Sequence, residues 1–141
     1  MTVRAFADGT RTIISAARAD RVAQVVALLA ERRIGAVPVV EEGRVLGIVS
    51  ERDILYGLGR EGAALLDRPV GEVMTAPAVT IDADTPILSA LSLMTNRRIR
   101  HLPIVADGRM VGFVSIGDLV KWRIDRIEAE AEAMRSYIQS A

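Results

Sequence analysis

The sequence predicts an α+β fold: two strand–helix–strand–strand–helix units packed about a pseudo-two-fold axis, followed by an extended C-terminal helix. Three observations carry this. Sliding the 141-residue chain by 65 positions aligns residues 28–53 with residues 93–118 without a gap, and 12 of the 26 pairs are identical, far more than chance supplies. An acidic residue followed by glycine sits between apolar runs at the same place in each copy, Glu42-Gly43 and Asp107-Gly108, which signals a tight hairpin turn. Apolar residues recur at helical spacing ahead of each hairpin.

The elements follow in the same order in each copy. A short apolar strand is expected at residues 12–15 and again at 78–81. Asp20 is placed to cap the first helix, and Thr85 the second, with Pro86 at the first helical position. Val22, Val25, Val26 and Leu29 form the inner face of one helix; Ile87, Leu91 and Met94 form that of the other. The hairpins use residues 37–40 with 44–49, and 102–105 with 109–114. A second helix runs over 52–58 in the first copy and from Ile116 onward in the second.

Residues 1–61 are therefore expected to hold the first unit with its N-terminal segment. Residues 62–77 form a linker with a helical turn, 78–122 the second unit, and 123–141 an amphipathic helix. One unit of about sixty residues is marginal alone, whereas two can share a core. In the last helix Ile124, Ile127, Ala131, Met134 and Ile138 fall three and four apart. That stripe needs cover, either from its own domain or from a second subunit.

Composition narrows the function. Half the residues are hydrophobic and only 4% aromatic, so the core must be aliphatic. Eighteen basic residues balance eighteen acidic ones, which offers no net attraction for nucleic acid. With no cysteine, disulfides, zinc thiolates and thiol catalysis are excluded, and a reducing compartment is suited. No apolar run is long enough to span a membrane, and the start lacks a signal peptide's apolar stretch. The expectation is a soluble cytoplasmic protein with neither nucleic acid nor membrane as partner.

The pattern Arg-Ile-x-x-aliphatic-Pro-aliphatic-Val, then Gly-x-x-x-Gly-x-Val-Ser-x-x-Asp, occurs twice, starting at Arg33 and Arg98. It resembles a pair of CBS domains, the arrangement called a Bateman module, and in particular the small stand-alone bacterial members. The resemblance covers nearly all of residues 10–122, and Val70-Gly71-Glu72-Val73-Met74-Thr75 is similar to the family's inter-repeat segment. It implies a regulatory, energy-sensing module rather than an enzyme. AMP, ADP, ATP, NAD(H) or S-adenosylmethionine would bind between the repeats as a regulatory ligand, with no cofactor. A homodimer and a separate effector protein are the further partners it implies. The alternative is a ligand-free dimerisation scaffold.

Ser50-Glu51-Arg52-Asp53 and Ser115-Ile116-Gly117-Asp118 are the most informative motifs. A carboxylate can accept both hydroxyls of a ribose, and a serine at a helix start lies beside free N–H groups that suit phosphate. The same motif also reads as a capping box that serves only the helix. By resemblance, Asp118 would hold ribose, with Ser115, Arg100 and His101 toward the phosphates, and Gly117, the counterpart of Arg52, is a further ligand-binding candidate. Thr12, Ile14, Ile34 and Gly35 would line the adenine slot, as small and aliphatic residues suit a flat base. A weaker cleft would use Asp53, Ser50 and Arg52 with Pro77, Val79 and Ile99. The first copy has Gly35 and Ala36 where the second has Arg100 and His101, so one dominant cleft centred on Asp118 is expected.

No catalytic or metal site is expected. His101 is the only histidine, and no third group is evident to orient its ring toward Asp118. Gly57-Leu58-Gly59-Arg60-Glu61-Gly62 spells a dinucleotide fingerprint but follows a helix rather than a strand, so it reads as a glycine-rich helix end.

Overall fold

A computed structural model of the chain describes residues 1–9 and 11–140. Helix α1 (Val22–Arg32) buries Val22, Val25 and Leu29, and α3 (Ile87–Arg97) buries Ile87, Ala90 and Met94. Strands β1 (Ala36–Glu41) and β2 (Arg44–Ser50) pair antiparallel, as do β3 (His101–Ala106) and β4 (Arg109–Ser115). Both residues of each turn have positive φ: 52° and 79° at Glu42 and Gly43, 52° and 76° at Asp107 and Gly108. That is the turn whose twist matches a hairpin. Each hairpin shifts register at the equivalent place, Val39/Val40 and Ile104/Val105. Helix α2 (Glu51–Glu61) and helix α4 (Ile116–Ser140) follow directly. The α+β repeat fold is therefore as the sequence implies.

Two local expectations change. The leading strand of each unit shrinks to one parallel bridge, Ala16 with Val39 and Ile81 with Ile104. The chain then turns at once, because the Asp20 carboxylate accepts from the Ala17 N–H (2.9 Å) and Asp82 from the Asp84 N–H (2.8 Å). Neither Asp20 nor Thr85 caps a helix, and Pro86 sits at the cap rather than inside the first turn. Main-chain carbonyls satisfy the free donors instead: Arg68 accepts from the Val22 N–H (3.0 Å) and Met1 from the Ile87 N–H (3.1 Å).

Those carbonyls belong to segments that cross between the halves. A 3-10 turn at the N-terminus (Val3–Phe6) buries Val3 in the second core, among Ile81, Ile104 and Leu119. The equivalent turn (Val70–Glu72) buries Val70 in the first, among Val22, Val39 and Leu65. The Thr75 and Phe6 carbonyls then lie over the sheets at Gly47 and Gly112, each 2.6 Å from where a Cβ would stand, so both places require glycine. The hairpin tips also join, with the Met110 N–H donating to the Gly43 carbonyl (2.8 Å).

The repeats diverge most after the second helix. Helix α2 stops at Gly62 (φ 66°), and a 3-10 turn (Gly62–Asp67) folds back to bury Leu65 on Gly57. Sixty-five residues on from Gly57 stands Trp122, which packs on the second core with its own side chain. Nothing need fold back there, and α4 runs on. The glycine-rich string is thus structural, as its position after a helix implies. Among the described residues, no helix is long and apolar enough to cross a membrane.

Candidate functional site

Two clefts lie where the halves meet. The first, about 310 Å³, is lined by Asp118, Ser115 and His101 from the second half and by Thr12, Ile14, Ile34 and Gly35 from the first. The second, about 420 Å³, is lined by Ser50, Arg52 and Asp53 from the first half and by Pro77, Val79 and Ile99 from the second. Each cleft therefore joins a Ser-x-x-Asp motif of one repeat to aliphatic residues of the other.

Both motifs do cap their helices. Asp118 Oδ2 accepts from the Ser115 N–H (2.9 Å), and Ser115 Oγ accepts from the Asp118 N–H (3.1 Å). Asp53 Oδ2 accepts from the Ser50 N–H (2.8 Å) and hydroxyl (3.1 Å). Capping occupies only one oxygen of each carboxylate. Asp53 Oδ1 accepts from the Thr75 hydroxyl (2.8 Å), and Asp118 Oδ1 from the Arg11 guanidinium (3.2 Å). A carboxylate has about four acceptor positions, so each keeps capacity toward its cleft. The Arg11 pair is half exposed and weakly held, easily exchanged for another donor.

The cations are distributed differently from the expectation. Arg100 lines the Asp53 cleft rather than the Asp118 cleft, together with Arg52, Arg97 and Arg98. The Asp118 cleft has Arg11 and Arg33. The physical reason is the start of β3: Arg100 precedes the strand and stays on the Asp53 side, whereas His101, its first residue, stands between the clefts and lines both. Gly117 lines neither cleft; a Cβ there would meet Ser115 Oγ at 3.6 Å. Sequence reasoning also missed Arg11, Phe6, Phe113, Glu51 and Thr75. Thr75 carried a signal as the end of the crossing segment, and Glu51 as part of the first Ser-x-x-Asp motif.

Arg33 and Arg98 end helices α1 and α3 in the left-handed conformation, both at φ 54°. Glycine normally holds that place, and an L-residue pays about 1–2 kcal/mol to adopt it. Both arginines line clefts, one in each. Strain of this kind concentrates at binding sites.

His101 stacks on Phe113, with ring centroids 5.7 Å apart and planes 14° from parallel. Burial pushes its pKa below the usual 6.5; Asp118 and Glu51 pull upward against this, and Arg100 adds to the depression. The ring is therefore neutral near neutral pH. A lowered folded pKa means the unfolded chain takes up the proton first, so stability from this group is complete above the unfolded value and declines as pH falls below about 6.5. Because His101 is the only histidine, its ring proton signal is unique. Its NMR titration midpoint is expected below 6.5, and His101→Gln should flatten the loss of Tm on acidification.

The profile of the CBS domain family matches residues 3–60 and 70–125. The CBS domain-containing protein CBSX3, mitochondrial, of Arabidopsis thaliana is 35% identical over 125 residues, covering 85% of this chain and 61% of that protein. The chain thus spans about three fifths of that relative's length. A CBS-domain containing protein from Agrobacterium tumefaciens has the same fold, with a TM-score of 0.80 at 33% identity over 86% of this chain and 92% of that one. CBSX2, solved in complex with AMP, gives a TM-score of 0.76 at 25% identity, covering 88% and 96%.

Proposed function

Because the chain belongs to the CBS domain family and carries two such domains in tandem, we propose that it is a regulatory module, not an enzyme, that binds an adenosine-containing nucleotide between its halves. One observation carries the reading: both clefts join a Ser-x-x-Asp carboxylate from one repeat to an aliphatic slot from the other. The AMP complex of CBSX2, which has the same fold, supports it. AMP, ADP, ATP, NAD(H) and S-adenosylmethionine all present the ribose diol and adenine that such a cleft fits. A ligand touching both repeats would bind one of their arrangements better than another, and that difference is the signal. In this reading the chain works in the cytoplasm as a homodimer and reports to a separate effector protein.

The four arginines favour the Asp53 cleft for phosphate-rich ligands, so we assign it the stronger site for ATP, with Asp118 holding the second. Thermal unfolding with millimolar AMP, ATP, NADH and S-adenosylmethionine tests the function. A ligand at a hundred times its Kd stabilises by about 2.7 kcal/mol, which is roughly 5–10 °C in Tm for a chain of this size. If all four leave Tm unchanged, the sensor reading fails and the ligand-free scaffold, favoured by the exposed stripe on α4, replaces it.

Arg98 offers a sharper version. Arg98→Gly relieves the left-handed strain and removes one cation, so it is expected to raise the unliganded Tm while reducing ATP protection. A variant that gains stability and keeps full protection would remove Arg98 from the site.

A further inference from the structure

We propose that the projecting part of α4 forms a parallel, in-register, two-stranded coiled coil with the same helix of a second copy. This stands apart from the nucleotide reading. Of residues 123–140, all are exposed except Ala131. Val120, Ile124, Ile127, Met134 and Ile138 are between 43% and 65% exposed. With Ala131 they step by four, three, four, three and four, which is the 3.5-residue repeat of alternating a and d positions in a coiled-coil seam. The residues that tie α4 to its own core, Leu119 and Trp122, lie on another face, roughly 130° around the helix. The seam is therefore unused within one chain.

The flanking charges select the occupant. In a parallel pair each g residue meets the e residue five positions on in the other helix. Here Arg123 would face the partner's Glu128, and Glu130 the partner's Arg135, each twice by symmetry. An antiparallel pair covering the same six residues would set Glu128 against its own copy and Lys121 against Arg135. Sliding that pair until Ile124 meets Ile127 restores opposite charges but leaves Met134 and Ile138 uncovered. Only the parallel register covers the whole seam and matches the charges. Isoleucine fills the a positions 124 and 138 and Ala131 the third, with Val120, Ile127 and Met134 at d. The ion pairs already on the helix, Lys121–Asp125, Arg126–Glu130 and Glu132–Arg135, are exposed and weakly held, so Glu130 and Arg135 can exchange them for the pairs across the seam.

The chain has no cysteine, so single cysteines report on the pairing cleanly. In the full chain under mild oxidation, Ile127→Cys on the seam should form a disulfide-linked dimer at least about tenfold faster than Ala129→Cys on the outer face, because pairing raises the local thiol concentration. In the Ile127→Cys chain, Glu128→Arg should slow the cross-link, and adding Arg123→Glu should restore it. Circular dichroism of each variant confirms that the helix is intact, as the substituted residues are exposed. Equal rates at 127 and 129, no cross-linked dimer, or a double swap slower than the single one would overturn the proposal. ATP protection read at the clefts is unaffected by any of these outcomes, so the two readings fail separately.

Discussion

Asp53→Asn is expected to remove most of the thermal protection given by ATP, and Asp118→Asn a smaller part. The ribose diol donates to whichever carboxylate oxygen is left by the helix cap. A hydrogen bond to a charged group is worth about 1.5–3 kcal/mol, which corresponds to roughly 10–150-fold in Kd. Asparagine keeps an acceptor for the serine N–H, so the helix start loses the charge that favoured its positive end, about 0.3–1 kcal/mol, and the second oxygen's bond from Thr75 or Arg11. The decisive readout is therefore the ligand-induced shift in Tm, not Tm itself. The inequality between the two variants follows from Arg52, Arg97, Arg98 and Arg100 around Asp53, against Arg11 and Arg33 around Asp118. Protection should also weaken with salt, since exposed guanidinium–phosphate attraction is screened. If Asp118→Asn abolishes protection and Asp53→Asn spares it, the charge argument is wrong and the site is the one first expected from sequence. If neither matters, no ribose sits at either carboxylate.

The repeat made most of the frame legible. Glu42-Gly43 and Asp107-Gly108 announced both hairpins, because few residues tolerate two successive positive φ values. The apolar steps of α1 and α3 marked which faces are buried. Contacts set by the crossing of chain segments were hidden. Nothing at Asp20 or Thr85 shows that the Arg68 and Met1 carbonyls will satisfy the helix donors in their place. Nothing at Val3 shows that it is buried in the second core rather than beside its own neighbours in sequence. The site failed in one informative way. Arg100 and His101 are adjacent and read as one phosphate-facing pair at Asp118, yet they share the Asp53 cleft, and only His101, at the start of β3, also reaches Asp118's. The Ser-x-x-Asp motifs were legible as both cap and site, and the geometry lets one carboxylate serve both, an oxygen each.

Leu65→Ala is expected to destabilise the protein by about 2–5 kcal/mol, the range for emptying a fully buried leucine site. Leu65 is 0% exposed and seals the first core by filling the space that Gly57 leaves. That position cannot collapse around the loss, because glycine supplies no side chain to move inward. Urea unfolding followed by circular dichroism gives the magnitude, and Trp122, the only tryptophan, reports on the second core. The two signals should shift to lower urea together, although Leu65 and Trp122 belong to different cores. Coupling is built into the chain path: Val3 of the N-terminal turn is buried in the second core, Val70 of the crossing segment in the first, and the hairpin tips are hydrogen-bonded. Unfolding one half pulls away part of the other. A Trp122 transition that stays at the wild-type midpoint while the helix signal splits would show that the halves unfold independently. Placing a side chain back at Gly57 is the companion test. Gly57→Val clashes with Leu65 in the wild-type chain, but in the Leu65→Ala background it fills the vacated space, as Trp122 does in the second repeat. The double variant should therefore be more stable than Leu65→Ala alone, a non-additivity expected only of residues in direct contact.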